Sequence, residues 1–121
     1  MYGFKEIDVS TLWQWGDAAK TFRLLDVRTP PETARGVIGG ASLIPLHLLP
    51  LRLQDLDDGE PLIIYCRTGA RSAQACAFLA QHGFTEVYNL RGGITAWAQA
   101  GLGLEDPVPA ACANGVNKVS C

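Results

Sequence analysis

The chain has 121 residues, 48% of them hydrophobic and 18% charged, with 10 Lys and Arg against 12 Asp and Glu. That length is one domain, able to bury about two-thirds of its unfolded surface without help from a metal or a disulfide. The apolar content excludes a wholly disordered chain, and a formal charge of −2 excludes a global field that draws in nucleic acid. Any anion site must therefore be local.

Lys5-Glu6-Ile7 reads as a short first strand. Ser10 is placed to cap a helix over residues 11–20, with Leu12, Trp15 and Ala19 on one face at 3.6 spacing. Residues 22–27 form a strand that the Thr29-Pro30-Pro31 breaker ends. Residues 36–51 carry no charge, but Gly39, Gly40, Pro45 and Pro50 interrupt them. The stretch falls short of the about 20 apolar residues that a membrane span needs, so no membrane association is expected. Within it, residues 41–44 read as a strand and residues 46–53 as a helix after Pro45.

Asp57-Asp58-Gly59 is a turn, and Leu62-Ile63-Ile64-Tyr65 is the continuous apolar run of a central strand buried on both faces. Residues 71–82 then read as a helix, with Ala73, Cys76, Ala77 and Ala80 on its inner stripe and Gly83 as its stop. Residues 87–90 are the last strand and residues 94–100 the last helix, after Gly92-Gly93. This alternation predicts an α/β domain, an open and mostly parallel sheet of about five strands with helices on both faces. From Gly101 onward periodicity is lost, so residues 1–103 are taken as the domain and 104–121 as an irregular tail. The N-terminus shows no basic region followed by an apolar stretch. Four cysteines without such a signal point to a reducing compartment, and the expected location is the cytoplasm.

The chemistry concentrates in Cys66-Arg67-Thr68-Gly69-Ala70-Arg71-Ser72. This segment lies where a buried strand ends and a helix begins, the usual ligand position in an open parallel sheet. A short loop at that junction can turn several backbone N–H groups inward as an anion nest. Cys66 at its mouth would be stabilised as a thiolate by those donors and by Arg67 and Arg71, and a thiolate facing an anion cradle suits attack on an anionic substrate. The plainer alternative is a buried strand-end cysteine beside two solvated arginines. It leaves the loop glycine and the coincident helix start without a reason.

Asp26 and Arg28 end the strand leading to the same sheet edge, where they could brace the loop together with Ser72. Arg28 is expected to pair with Glu32 across the Pro30-Pro31 turn. Cys76 falls on a core-facing helix stripe and reads as inert. Cys112 and Cys121, with eight residues between them, read as exposed thiols on the tail, or one of them as a sulfur acceptor or resolving thiol for Cys66. Their spacing does not suit a metal site, and none is expected. His47 and His82 have no carboxylate or cysteine at helical spacing, and Trp13, Trp15 and Trp97 suit core or lid positions rather than base stacking.

Four pieces in order make the chain resemble a single rhodanese (sulfurtransferase) domain. They are Leu24-Leu25-Asp26-Val27-Arg28; Glu32 with Gly36-Val37-Ile38-Gly39-Gly40-Ala41; Ile64 through Ser72; and Gly83-Phe84 with Tyr88-Asn89-Leu90-Arg91-Gly92-Gly93-Ile94 to Trp97. One departure is Val37, where the family usually has histidine. The resemblance implies a sulfurtransferase in which Cys66 takes the outer sulfur of thiosulfate, or a similar small anionic donor, as a persulfide. Cyanide or a thiol then accepts that sulfur, and no cofactor takes part.

In that reading the backbone of Arg67, Thr68, Gly69, Ala70 and Arg71 holds the persulfide, and the Arg67 and Arg71 side chains orient the donor. Four residues separate Cys66 from Arg71. By resemblance this loop fits sulfur, whereas a phosphatase or arsenate reductase on the same scaffold carries a longer one. A sulfur-carrier module that serves a partner in a sulfur relay is the other reading, and turnover with free thiosulfate separates it from an enzyme.

Overall fold

The computed structural model describes residues 3–18, 21–56 and 59–107. Among them, β1 (Lys5–Ile7), β2 (Arg23–Asp26), β3 (Ser42–Leu43), β4 (Leu62–Tyr65) and β5 (Val87–Leu90) form one sheet. Its order is β1-β5-β4-β2-β3, with every neighbouring pair parallel. Leu24 of β2 sits beside Ile63 of β4, and Ile63 beside Tyr88 of β5.

The two faces follow from the period-2 alternation of a strand. Leu62 and Ile64 of β4 point into one core with Leu25, Val27 and Leu49, and with Ala75, Cys76 and Leu79 of α3 (Ala70–Gln81). Ile63 and Tyr65 point into the other, with Leu24 and Leu90. Leu12 of α1 (Val9–Asp17) and Ile94 and Trp97 of α4 (Gly93–Gln99) close that second face. Helices on both faces leave β4 wholly buried, which is why its sequence is unbroken by polar residues.

Several boundaries differ from the sequence reading for identifiable reasons. Asp8, not Ser10, caps α1: its carboxylate accepts the Thr11 N–H at 2.8 Å, and an anion there also opposes the positive helix end. Ala19 and Lys20 lie outside the described residues. The Pro30-Pro31 breaker opens a short helix, α2 (Pro30–Thr33), because proline suits a first helical turn, where its missing N–H is not needed. Residues 46–53 form no α-helix but 3₁₀ turns over Leu46–Leu51 and Leu53–Asp55, since Pro50 offers no N–H for a longer ladder.

On α3 the fully buried stripe is Ser72, Ala75, Cys76 and Leu79, so Ala73, Ala77 and Ala80 flank the core instead of filling it. Beyond Gly103 the chain is still bonded to the domain. Val37 and Glu105 exchange backbone N–H···O bonds of 2.8 Å each, and the Trp97 indole N–H donates to the Gly103 carbonyl at 2.8 Å. Cys112 and Cys121 lie outside the described residues. No helix among the described residues is long and apolar enough to cross a membrane.

Candidate active site

Cys66 follows the last residue of β4 and is 1% exposed. Its loop is shaped from two sides. Gly69, with φ +114, takes a left-handed conformation at the start of α3 that lets its N–H point back to the cysteine sulfur at 3.1 Å. On the other side, the Ile94 and Thr95 N–H groups bond the carbonyls of Cys66 and Arg67 at 3.0 and 3.1 Å. Those carbonyls are thereby turned toward α4, away from the sulfur.

The close approach of α4 requires glycine. A Cβ on Gly93, whose φ is +58, would lie 2.5 Å from the Arg67 carbonyl oxygen and 2.6 Å from that of Cys66. Gly92-Gly93, a helix start and part of the closing motif in the sequence, is thus a structural part of the site. The signal for it is a glycine pair placed after a strand.

Ser72 Oγ lies 3.4 Å from the sulfur, and Asn89 Oδ1 is within hydrogen-bond distance of the same hydroxyl. Burial pushes the Cys66 thiol up, but hydrogen bonds from Ser72 and from the backbone of Ser72, Gly69 and Thr68 outweigh it, and the net shift is downward. Of the two contributions expected from sequence, the hydrogen-bond donors, led by the Ser72 side chain, outrank the Arg67 and Arg71 guanidiniums. Cys76, the other free cysteine among the described residues, is pushed up by burial and stays an inert thiol.

The arginines divide differently from expectation. Arg71 makes a two-pronged pair with Glu32, Nη1 to Oε1 at 2.7 Å and Nη2 to Oε2 at 2.8 Å. Glu32 also accepts the Thr29 N–H at 3.0 Å. The Arg71 guanidinium, ahead of the Thr29 bonds, holds this carboxyl at about 2. Arg28 does not pair with the Glu32 side chain and touches only its carbonyl, at 3.4 Å.

Arg28 pairs instead with the fully buried Asp26 at 2.8 Å, donates to the Gly36 carbonyl at 2.7 Å and lies over the Tyr65 ring. Asp26 and Arg28 therefore lock the end of β2 to the segment that precedes Val37. The Tyr65 hydroxyl accepts the Ile38 N–H at 3.0 Å and fixes the same segment from β4.

A cleft of about 360 Å³ opens beside the loop, lined by Arg28, Glu32, Arg35, Arg67, Thr95 and Leu104 among others. With Arg28 held by Asp26 and Glu32 by Arg71, the exposed arginines in its wall are Arg67 and Arg35. Arg35 was not singled out from sequence, because nothing local marks it. A larger hollow of about 640 Å³ lies against α1, Phe22 and Trp97. None of the site residues predicted from sequence lines it, so its size says nothing about the chemistry.

The chain is similar in sequence and fold to known proteins. The chain matches the family described as Rhodanese-like domain over residues 8–100. It is 47% identical over 102 residues to a sulfurtransferase of Allochromatium vinosum, a match covering 84% of this chain and 95% of that protein. It is 33% identical over 100 residues to the thiosulfate sulfurtransferase GlpE of Shewanella oneidensis, covering 83% of this chain and 98% of the relative. Among solved structures it is similar to a rhodanese-like domain protein of Staphylococcus aureus. The TM-score there is 0.79 and the identity 34%, over 87% of this chain and all of that one.

Proposed function

From the premise that the chain belongs to the rhodanese-like domain family, we propose that it is a sulfurtransferase that moves a sulfane sulfur through a persulfide on Cys66. The observation that carries this reading is the buried Cys66 sulfur, which receives the Gly69 N–H and lies beside the Ser72 hydroxyl, with its thiol pulled below the ordinary range. The thiolate attacks the outer sulfur of thiosulfate, the S–S bond breaks, and sulfite leaves with the electron pair. The outer sulfur then carries the charge within reach of the loop N–H groups of Arg67, Thr68, Gly69, Ala70 and Arg71.

A thiol or cyanide attacks that outer sulfur and restores the Cys66 thiolate. No external redox partner or cofactor enters the balance. Arg67 and Arg35 supply the positive wall that draws the dianionic donor, while Arg71 braces α2 against the loop through Glu32. A nucleophile that works as a free thiolate suits a reducing compartment, and the cytoplasm is the proposed location.

Thiosulfate as donor is supported by the similarity to the Shewanella relative, and the four-residue spacing from Cys66 to Arg71 favours sulfur over phosphate. The test is intact mass spectrometry after incubation with thiosulfate. Wild type gains one sulfur atom, lost on adding a thiol, and Cys66→Ser gains none. Loading without turnover would make the domain a carrier for a partner protein, and no loading at all would refute the reading.

A further inference from the structure

Ser72 has one hydroxyl proton and two acceptors beside it, Cys66 Sγ at 3.4 Å and Asn89 Oδ1. All three residues are buried, with Ser72 fully so and Asn89 2% exposed. The Asn89 carboxamide cannot exchange its two ends. Its Nδ2 meets the Gly69 carbonyl at 3.2 Å and Glu6 Oε2 at 3.4 Å, both of which accept. The amide oxygen is therefore held toward Ser72, and an amide oxygen donates nothing. The Ser72 proton must face either Asn89 or the sulfur.

Building on the assignment of Cys66 as nucleophile, we propose that Asn89 is a positioning residue that parks the Ser72 hydroxyl proton, so that this donor turns onto the Cys66 sulfur only while that sulfur carries charge. In the thiol, S–H donates to Ser72 Oγ and Ser72 donates to Asn89 Oδ1, leaving every group bonded. In the thiolate, the hydroxyl rotates to Sγ, because a bond to a charged acceptor is stronger than the neutral one it leaves. In the persulfide the inner sulfur is neutral and a poor acceptor, so the hydroxyl returns to Asn89.

When an acceptor attacks the outer sulfur, the S–S electron pair goes to the inner sulfur and the hydroxyl turns back to it. The proton stays on Ser72 Oγ throughout, and only the acceptor it faces changes. The same carboxamide ties β5 to the Gly69 carbonyl, so one residue steadies both the Gly69 and the Ser72 donors.

The charged and titratable groups on the surrounding elements are Glu6 of β1, the Asp26–Arg28 pair at the end of β2, Glu32 of α2, Arg67 of the loop, and Arg71 and Cys76 of α3. Arg71 and Cys76 each interact electrostatically with Cys66. None of them offers Ser72 a competing acceptor among the described hydrogen bonds.

The test reads the thiolate without requiring sulfur transfer. The rate of Cys66 alkylation by iodoacetamide, followed by mass spectrometry across pH, gives an apparent midpoint. Ser72→Ala moves it up. Asn89→Ala frees the Ser72 proton and moves it down by about half to one pH unit, about three- to tenfold in rate below the midpoint. In the Ser72→Ala background, Asn89→Ala produces no downward shift, a coupling that a merely structural role would not produce.

An upward shift in Asn89→Ala, or equal shifts in both backgrounds, overturns the proposal. Wild type provides a second measurement should the variant not fold. The carboxamide carbon-13 signal of Asn89 titrates with the alkylation midpoint and is flat in Cys66→Ala, whereas a flat signal in wild type overturns the proposal. Coupling between Ser72 and Asn89 in a protein that never loads sulfur would support the parked proton and overturn the sulfur-transfer reading.

Discussion

Glu32→Gln is expected to lower stability in a strongly pH-dependent way. The Glu32 carboxylate takes two bonds from Arg71 and one from the Thr29 N–H, so an amide in its place sets donor against donor at one of these contacts. The carboxyl lies at about 2 in the folded protein against an ordinary 4.5. In a dry site that difference would correspond to about 3 kcal/mol. The Arg71 and Glu32 side chains are 34% and 30% exposed, which reduces the contribution to about 1–2 kcal/mol by solvent screening.

The folded value is the lower one, so this stability is fully present above about pH 4.5 and is lost as pH falls toward 2. Thermal melts followed by circular dichroism should place Glu32→Gln about 5–10 °C below wild type near pH 7. That gap should close by about pH 2, because protonated wild type then resembles the amide. Shifts at other carboxylates cancel in the difference between the two proteins. Equal melting temperatures near neutrality, or a gap unchanged by acid, would refute the reasoning.

Cys66→Ser should lose sulfur loading entirely while its melting temperature stays within about 3 °C of wild type, since a hydroxyl fits the same loop donors. Arg67→Ala should raise the thiosulfate KM about tenfold, while Arg71→Ala should act mainly on melting temperature; a reversed order in steady-state kinetics would show Arg71 contacting the donor. Gly93→Ala should cost at least about 2 kcal/mol in urea unfolding, because its methyl would overlap the Cys66 and Arg67 carbonyls at a left-handed backbone position. Truncation after Gly103 removes the Val37–Glu105 pairing and should melt below a chain truncated after Pro107; equal melts for the two would make that pairing dispensable.

The sequence alone determined the layered α/β arrangement and singled out the loop proposed to carry the chemistry. Unbroken Leu62-Ile63-Ile64-Tyr65, the helical spacing after Arg71 and the glycine-bearing loop between them are local patterns, and burial and backbone bonding impose such periods wherever they occur. Helix starts were less legible, because caps such as Asp8 and the start of α2 at Pro30 turn on single hydrogen bonds.

What only the tertiary structure decided is which polar groups meet. Arg28 has a carboxylate two residues before it and another four after it, and sequence cannot choose between them. Burial of β2 chose Asp26, which left Glu32 to Arg71, 39 residues away. Asn89 reaches Ser72 and Gly69 only because β5 lies beside β4, and Gly93 touches Cys66 only because α4 starts at that sheet edge. Apolar burial depends on local period, but a hydrogen bond is directional and short, so its partner is set by strand order and by the residue that happens to arrive within 3 Å or so.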